Sequence, residues 1–110
     1  MLDKNALMGI DLKTKVVKLP QGELLIREFD TSTREKFELM AQDYQSGKSK
    51  NMKAKLIAVS VIHENGGRYF GDDEIDKISK LPATITEKLF DEILSLNGMA
   101  NDALEVNEGN

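Results

Sequence analysis

Cysteine is absent from this 110-residue chain, which excludes a disulfide framework and a thiolate metal site and leaves nothing that points to an oxidising compartment. Tryptophan is absent as well, and histidine occurs once, at His63. Catalysis near neutral pH therefore has a single ready proton carrier, and no serine or threonine is marked by the sequence as its partner. A helix-terminal or packed histidine is the expected role. No segment approaches the roughly 18 apolar residues of a membrane span, and the start, MLDKNALMGIDLK, has no run of signal-peptide length. Neither export nor membrane insertion is expected, and the inventory argues against an enzyme.

What is present is the composition of a folded domain: 40% hydrophobic and 31% charged residues, enough to bury one core and keep a polar surface. One domain suits this length. The net charge of −4 repels a phosphate backbone, but the sign is uneven. Residues 1–55 hold 11 basic and 8 acidic groups, residues 56–110 hold 4 and 11. Two differently solvated faces account for that split, which could also steer partners or other copies of the chain.

Residues 14–29, TKVVKLPQGELLIREF, read as a β-hairpin: two β-favouring runs flank Pro20-Gln21-Gly22, where proline pre-sets φ and glycine accepts unusual backbone angles. In the second arm Leu24 and Ile26 point one way, Leu25, Arg27 and Phe29 the other, so neither face is cleanly polar. A helix over 31–46 follows, with Asp30-Thr31-Ser32-Thr33 supplying carboxylate and hydroxyl caps, Ser32 and Glu35 in capping-box spacing, and Phe37, Met40, Ala41 and Tyr44 along one stripe. A second helix, 51–63, carries Met52, Leu56, Ile57, Ala58, Val59, Val61 and Ile62 and is the expected central core helix, although its valines and isoleucines also suit a strand. HENGGRYF at 63–70 holds a tight reversal at Asn65-Gly66-Gly67. Asp72, Asp73 and Glu74 place negative charge at the start of a short helix over 72–80 with Ile75, Ile78 and Leu81 on one side. The last helix, 84–97, is opened by Thr84 with Glu87 in capping-box register, carries Ile85, Leu89, Phe90, Ile93, Leu94 and Leu96, and is closed by Gly98. Residues 101–110 are polar and acidic and read as a flexible tail. The fold class expected is α+β, mainly α: an N-terminal hairpin packed on about four helices.

Chemical motifs fail on inspection. Counted from Asp72, a calcium loop needs glycine at Lys77 and glutamate at Ala83. Gly47-Lys48-Ser49 ends like a phosphate-binding loop, but the first glycine of that motif would fall at Gln42. LPAT at 81–84 begins like a sorting signal, yet Ile85 replaces the required glycine. Lys48, Lys50, Lys53 and Lys55 form the only basic cluster; no aromatic interleaves with them, and Lys53 and Lys55 do not share a helical face. A solvated surface explains them better than nucleic acid does. Neither a metal nor a cofactor is expected. Arg68-Tyr69-Phe70 is the most interesting surface triplet, because arginine and aromatics dominate binding hot spots and this one follows an exposed turn.

Taken in order, VKLPQGELLIREFDTSTREKFE (17–38), NMKAKLIAVSVIHENGGRYFGDDEIDKISKL (51–81) and ITEKLFDEILSLNGM (85–99) resemble the successive blocks of the tail assembly chaperones of long-tailed bacteriophages. The resemblance covers roughly residues 2–100. It rests on a short leader, a P-x-G hairpin ending at Arg27, a capped helix with an aromatic, an Asn51–Leu56 helix start, an acidic-Gly turn at Glu64–Gly67, and Phe70 ahead of Asp72–Glu74. The departure is Gly71, where a stronger capping residue is frequent, so Asp72 is a second candidate for the cap. The resemblance implies a protein of virion morphogenesis that binds the phage tape measure protein in the host bacterial cytoplasm and keeps it soluble. It also implies help in recruiting tail tube protein, through a longer frameshifted form, and leaves a homo-oligomer open. The candidate partner-binding residues are Arg27, Tyr44, Arg68, Tyr69 and Phe70. Two other functions fit the residues: a structural tail or head-tail connector component kept in the virion, and a small nucleic-acid-binding regulator using the lysine cluster.

Overall fold

In the computed structural model, residues 1–48 and 50–99 are described; the acidic tail expected at 101–110 lies outside them. The hairpin forms where Pro20-Gln21 can turn the chain. Strand β1, Thr14–Leu19, pairs antiparallel with β2, Gly22–Arg27, in a register that sets Val17 opposite Leu24 and Val16 opposite Leu25. Because side chains alternate, the first pair faces the core and the second faces away from it.

Helix α2, Thr31–Gln45, begins on Asp30 rather than on a Ser32–Glu35 box: the Asp30 carboxylate accepts the Thr33 backbone N–H at 2.7 Å. That bond, then one from the Thr33 hydroxyl, holds the Asp30 carboxyl below its ordinary value. Asp30 directly follows the buried Phe29, so the chain turns straight off the sheet into the helix and leaves Ser32 inside the first turn.

The third element departs most from expectation. Helix α3 covers only Met52–Ser60, entered through Asn51 in the left-handed region at φ 59°. The chain then extends into β3, Val61–Ile62, which adds to the sheet beside β2, with Leu25 opposite Ile62 and Ile26 opposite Val61. Two adjacent β-branched residues gain more from completing the ladder than from another half-turn of helix. The sheet order is therefore β1-β2-β3.

Asp72–Glu74 form a 3-10 turn leading into α4, Ile75–Ile78. Its start falls at Gly71, whose N–H donates to the Glu74 carboxylate at 2.9 Å, so Asp72 does not cap it. Helix α5, Ala83–Leu96, starts at Pro82, whose carbonyl accepts the Ile85 N–H at 2.9 Å, with Thr84 already inside the first turn. It ends in a Schellman motif: Met99 N–H donates to the Leu94 carbonyl at 2.8 Å and Gly98 N–H to the Ser95 carbonyl at 3.0 Å. Gly98 sits at φ +70°, where a Cβ would be strained. A further short helix, α1 at Lys4–Met8, was not anticipated; Asp3 caps it through Ala6 N–H, and all of its residues are exposed.

The molecule is a mainly helical α+β domain. Its core lies between the inner face of the sheet (Val17, Ile26, Val61) and the helices, with α3 at the centre supplying Met52, Ala54, Leu56, Ile57 and Ala58 and α5 supplying Leu89, Phe90, Ile93 and Leu94. Full burial of side chains such as Leu56 or Ile93 contributes about 1.5–3 kcal/mol each. Two polar ties lock α5 to the hairpin. Lys15 meets Glu92 at 2.8 Å, and Asn97 accepts the Phe29 N–H at 2.8 Å while donating to the Ile93 carbonyl at 2.7 Å.

Candidate functional site

Residues 61–70 build the region that the sequence singles out. After β3 the chain reverses: Gly66 N–H donates to the His63 carbonyl and His63 N–H to the Gly67 carbonyl, with Gly66 at φ +91°. The Asn65 side chain accepts the Gly67 N–H at 2.9 Å, fixing the turn from within. The returning strand places Arg68 opposite Ile62 and brings Tyr69 N–H to the Val61 carbonyl.

Both arginines of the candidate set are engaged inside the protein. Arg68 donates from Nε and Nη2 to the Ala58 carbonyl at 3.2 and 3.1 Å, and Nη2 also meets Asp72 at 2.9 Å. Ala58 lies in the last turn of α3, where carbonyls have no helical partner, so Arg68 closes the helix end that β3 cuts short. Arg27 donates from Nη1 to the Gly66 carbonyl at 3.3 Å, tying the end of β2 to the turn.

The aromatics are placed differently. Tyr69 is 45% exposed and stands between two rings, with centroids 5.0 Å from His63 and 4.9 Å from Phe70. Phe70 is half-buried and packs on the core. Together they flank a largely apolar cleft of about 420 Å³ closed by Leu19, Leu24, Leu81, Ile85 and Leu89, with Gln21 also in its lining. Tyr44, 49% exposed, lies apart on a hollow with Met52, Lys53 and Thr86. Arg27, Arg68, Tyr69 and Phe70 thus gather around one turn, and Tyr44 does not join them.

Sequence reasoning missed the outer face of the sheet. Val16, Leu25 and Ile62 lie side by side on it across three strands. The signal was available in the unbroken run Leu24-Leu25-Ile26, which has to put apolar groups on both faces of a strand. The lysine cluster is not one patch: Lys53 holds its Nζ 5.3 Å from the Phe90 ring centroid, while Lys48 and Lys50 stand exposed before α3. Among the described residues, no three Asp, Glu or His side chains converge as a metal site requires. No helix among them is long and apolar enough to cross a membrane. An arrangement of apolar hollows beside a rigid turn suits burial of another molecule's apolar surface.

Comparisons with known proteins agree at the level of fold. No protein-family model matches the chain, and no curated protein matches it in sequence. Among solved structures, the tail assembly chaperone of bacteriophage HK97 superposes with a TM-score of 0.60 at 14% identity, over 77% of this chain and 85% of that one. The two share a fold.

Proposed function

We propose that this chain is a tail assembly chaperone of a long-tailed bacteriophage or prophage, acting in the bacterial cytoplasm during virion morphogenesis and without enzymatic activity. In this reading it binds the tape measure protein and keeps it soluble. It also helps recruit tail tube subunits, through a longer frameshifted form. The observation that carries the proposal is the fold shared with the HK97 chaperone over 77% of this chain, which agrees with the resemblance of the ordered sequence blocks.

The physics supports the same role. A tape measure exposes long apolar helical stripes before assembly, and a small domain that covers them contributes buried area rather than chemistry. Several copies along one client would add by avidity. Tyr69 and Phe70 are the proposed contacts, with Arg68 and Arg27 holding their turn in place and Tyr44 offering a second, separate contact.

Co-expression with the long helical protein encoded beside this one tests the proposal. The client should become soluble and co-elute with the chain, and replacing Tyr69 and Phe70 by serine should abolish co-elution while the domain stays folded. A client that remains insoluble overturns the proposal for this form of the protein. Stoichiometric recovery of the chain from purified virions would instead make it a structural tail component.

A further inference from the structure

The inner face of the three-stranded sheet is covered along its length, and the outer face only in part. On the inner face α5 lies over Val17 and Ile26, which are fully buried. On the outer face Val16 is 50% exposed, Leu25 is half-buried, and Ile62 is buried without belonging to the core cluster. Sheets with apolar side chains on both faces are normally covered on both. A sheet of three strands is roughly 10–15 Å wide, the width of a single helix.

The outer face is hollowed rather than flat. Two adjoining depressions of about 220 and 490 Å³ share Leu25, Ile62 and Glu64. The first runs on to Val16, His63 and Tyr69, the second to Ile10 and Leu12 of the leader, both exposed apolar residues. The charged lining is one-sided: Glu23, Glu64 and Asp11 stand against one cation, Arg27, whose Nη1 is turned to the Gly66 carbonyl. Lys18, opposite Glu23 in the ladder, does not line either depression.

We infer that this groove is a docking site for a basic amphipathic helix of a partner protein: its apolar side chains cover Val16, Leu25, Ile10 and Leu12 over a floor made by Ile62, and its lysines or arginines meet Glu23, Glu64 and Asp11. Apolar contact supplies affinity and the carboxylates select the sign of the flanking charge. A second copy of this chain fits less well. Helix α3, which carries Lys53 and Lys55, commits Met52, Ala54 and Leu56 to its own core. The inference rests on the chaperone reading only in taking the client as the source of the helix; the groove stands on its own geometry.

The test uses the full chain and three synthetic peptides of about 15–20 residues: an amphipathic leucine–lysine helix, its leucine–glutamate counterpart, and a serine–lysine peptide of equal charge. The leucine–lysine peptide should bind at least about tenfold more tightly than either of the others, and added salt should narrow its lead over the glutamate form. Reversing charge in the groove, Glu23→Lys with Glu64→Lys, should invert the preference between the two leucine peptides. The same charge change on α2, Glu35→Lys with Asp43→Lys, should leave it intact. Thermal melts of both double variants check that the fold persists.

Equal binding of the two leucine peptides, or an effect of the α2 control as large as that of the groove variant, overturns the inference. So does a free chain whose oligomer size depends on Glu23 and Glu64, which would make the groove a contact between copies. Client solubilisation is read separately. Its failure with peptide selection intact removes the chaperone reading and leaves the groove; its success without peptide selection does the reverse.

Discussion

The two long helices are nearly equal in length and contribute unequally. Helix α5 buries Leu89, Phe90, Ile93 and Leu94 completely, whereas α2, one residue longer, buries only Phe37 and leaves Leu39 and Tyr44 exposed. The difference lies in sequence spacing. In α5 apolar residues recur in adjacent pairs, 89–90 and 93–94, and make a broad stripe, while in α2 charged and amide side chains separate them. Helix α2 is held mainly at its N-terminal half, by the Asp30 cap, the Phe29–Phe37 ring contact at 5.7 Å and Arg34, which reaches the Asn97 carbonyl at 3.5 Å. One helix builds the core; the other is anchored to it near one end.

That contrast can be broken most sharply by truncation. Leu89→Ala should cost about 2–5 kcal/mol in denaturant unfolding, because it empties a site that neighbouring elements cannot collapse to fill. Leu39→Ala, the same change on α2, should stay within about 0.5 kcal/mol of wild type. Similar losses at the two sites would mean that the outward side of α2 is covered.

Asn97→Ala comes next. It leaves the Phe29 N–H without its partner where α5 meets the hairpin, while the Ile93 carbonyl keeps the backbone N–H of residue 97, and about 1–3 kcal/mol should be lost. Hydrogen exchange should quicken at Phe29 ahead of the α5 amides.

A smaller effect is expected from acid. The Lys15 ammonium bonded to Glu92 holds that carboxyl below its ordinary 4.5, against the opposing pull of burial, with Lys88 adding to it. The unfolded chain takes up the proton first, so this contribution is fully present above pH 4.5 and fades as pH falls through the lower folded value. Glu92→Gln should flatten the pH dependence of the melting temperature in that window and leave the slope above pH 6 unchanged. The smallest change is Ser60→Ala. The Ser60 hydroxyl is buried in the last turn of α3 with no hydrogen-bond partner among the described residues, so its removal should be neutral or slightly stabilising by calorimetry.

Much of this architecture is legible before folding. Pro20-Gln21-Gly22 marks the hairpin, the 89–90 and 93–94 pairs mark the strongest helix, and Gly98 marks its end. The misreadings have separate causes. Val61 and Ile62 suit helix and strand alike, and only the unpaired edge of β2, distant in sequence, decides between them. Asp30 is legible among the candidate caps of α2, and the turn off Phe29 selects it over Ser32; Pro82 is hidden because Thr84, with capping-box spacing to Glu87, follows it inside the helix. At the candidate site, residue type singles out Tyr69 and Phe70 as aromatics after a turn, and only the fold shows the cleft beside them. Residue type could not show that Arg68 spends its donors on Ala58, since that bond exists only once α3 has ended early.

The bond from Phe29 to Asn97 spans 68 residues of chain, and it has a consequence during synthesis. The hairpin leaves the ribosome well before α5, the helix for which its inner face is made. At about 5–20 residues per second, roughly 3–14 seconds pass before that helix exists. Throughout that interval Val17 and Ile26 remain wet, so a ribosome stalled before residue 83 displays a nascent chain that host proteases and holding factors can recognise.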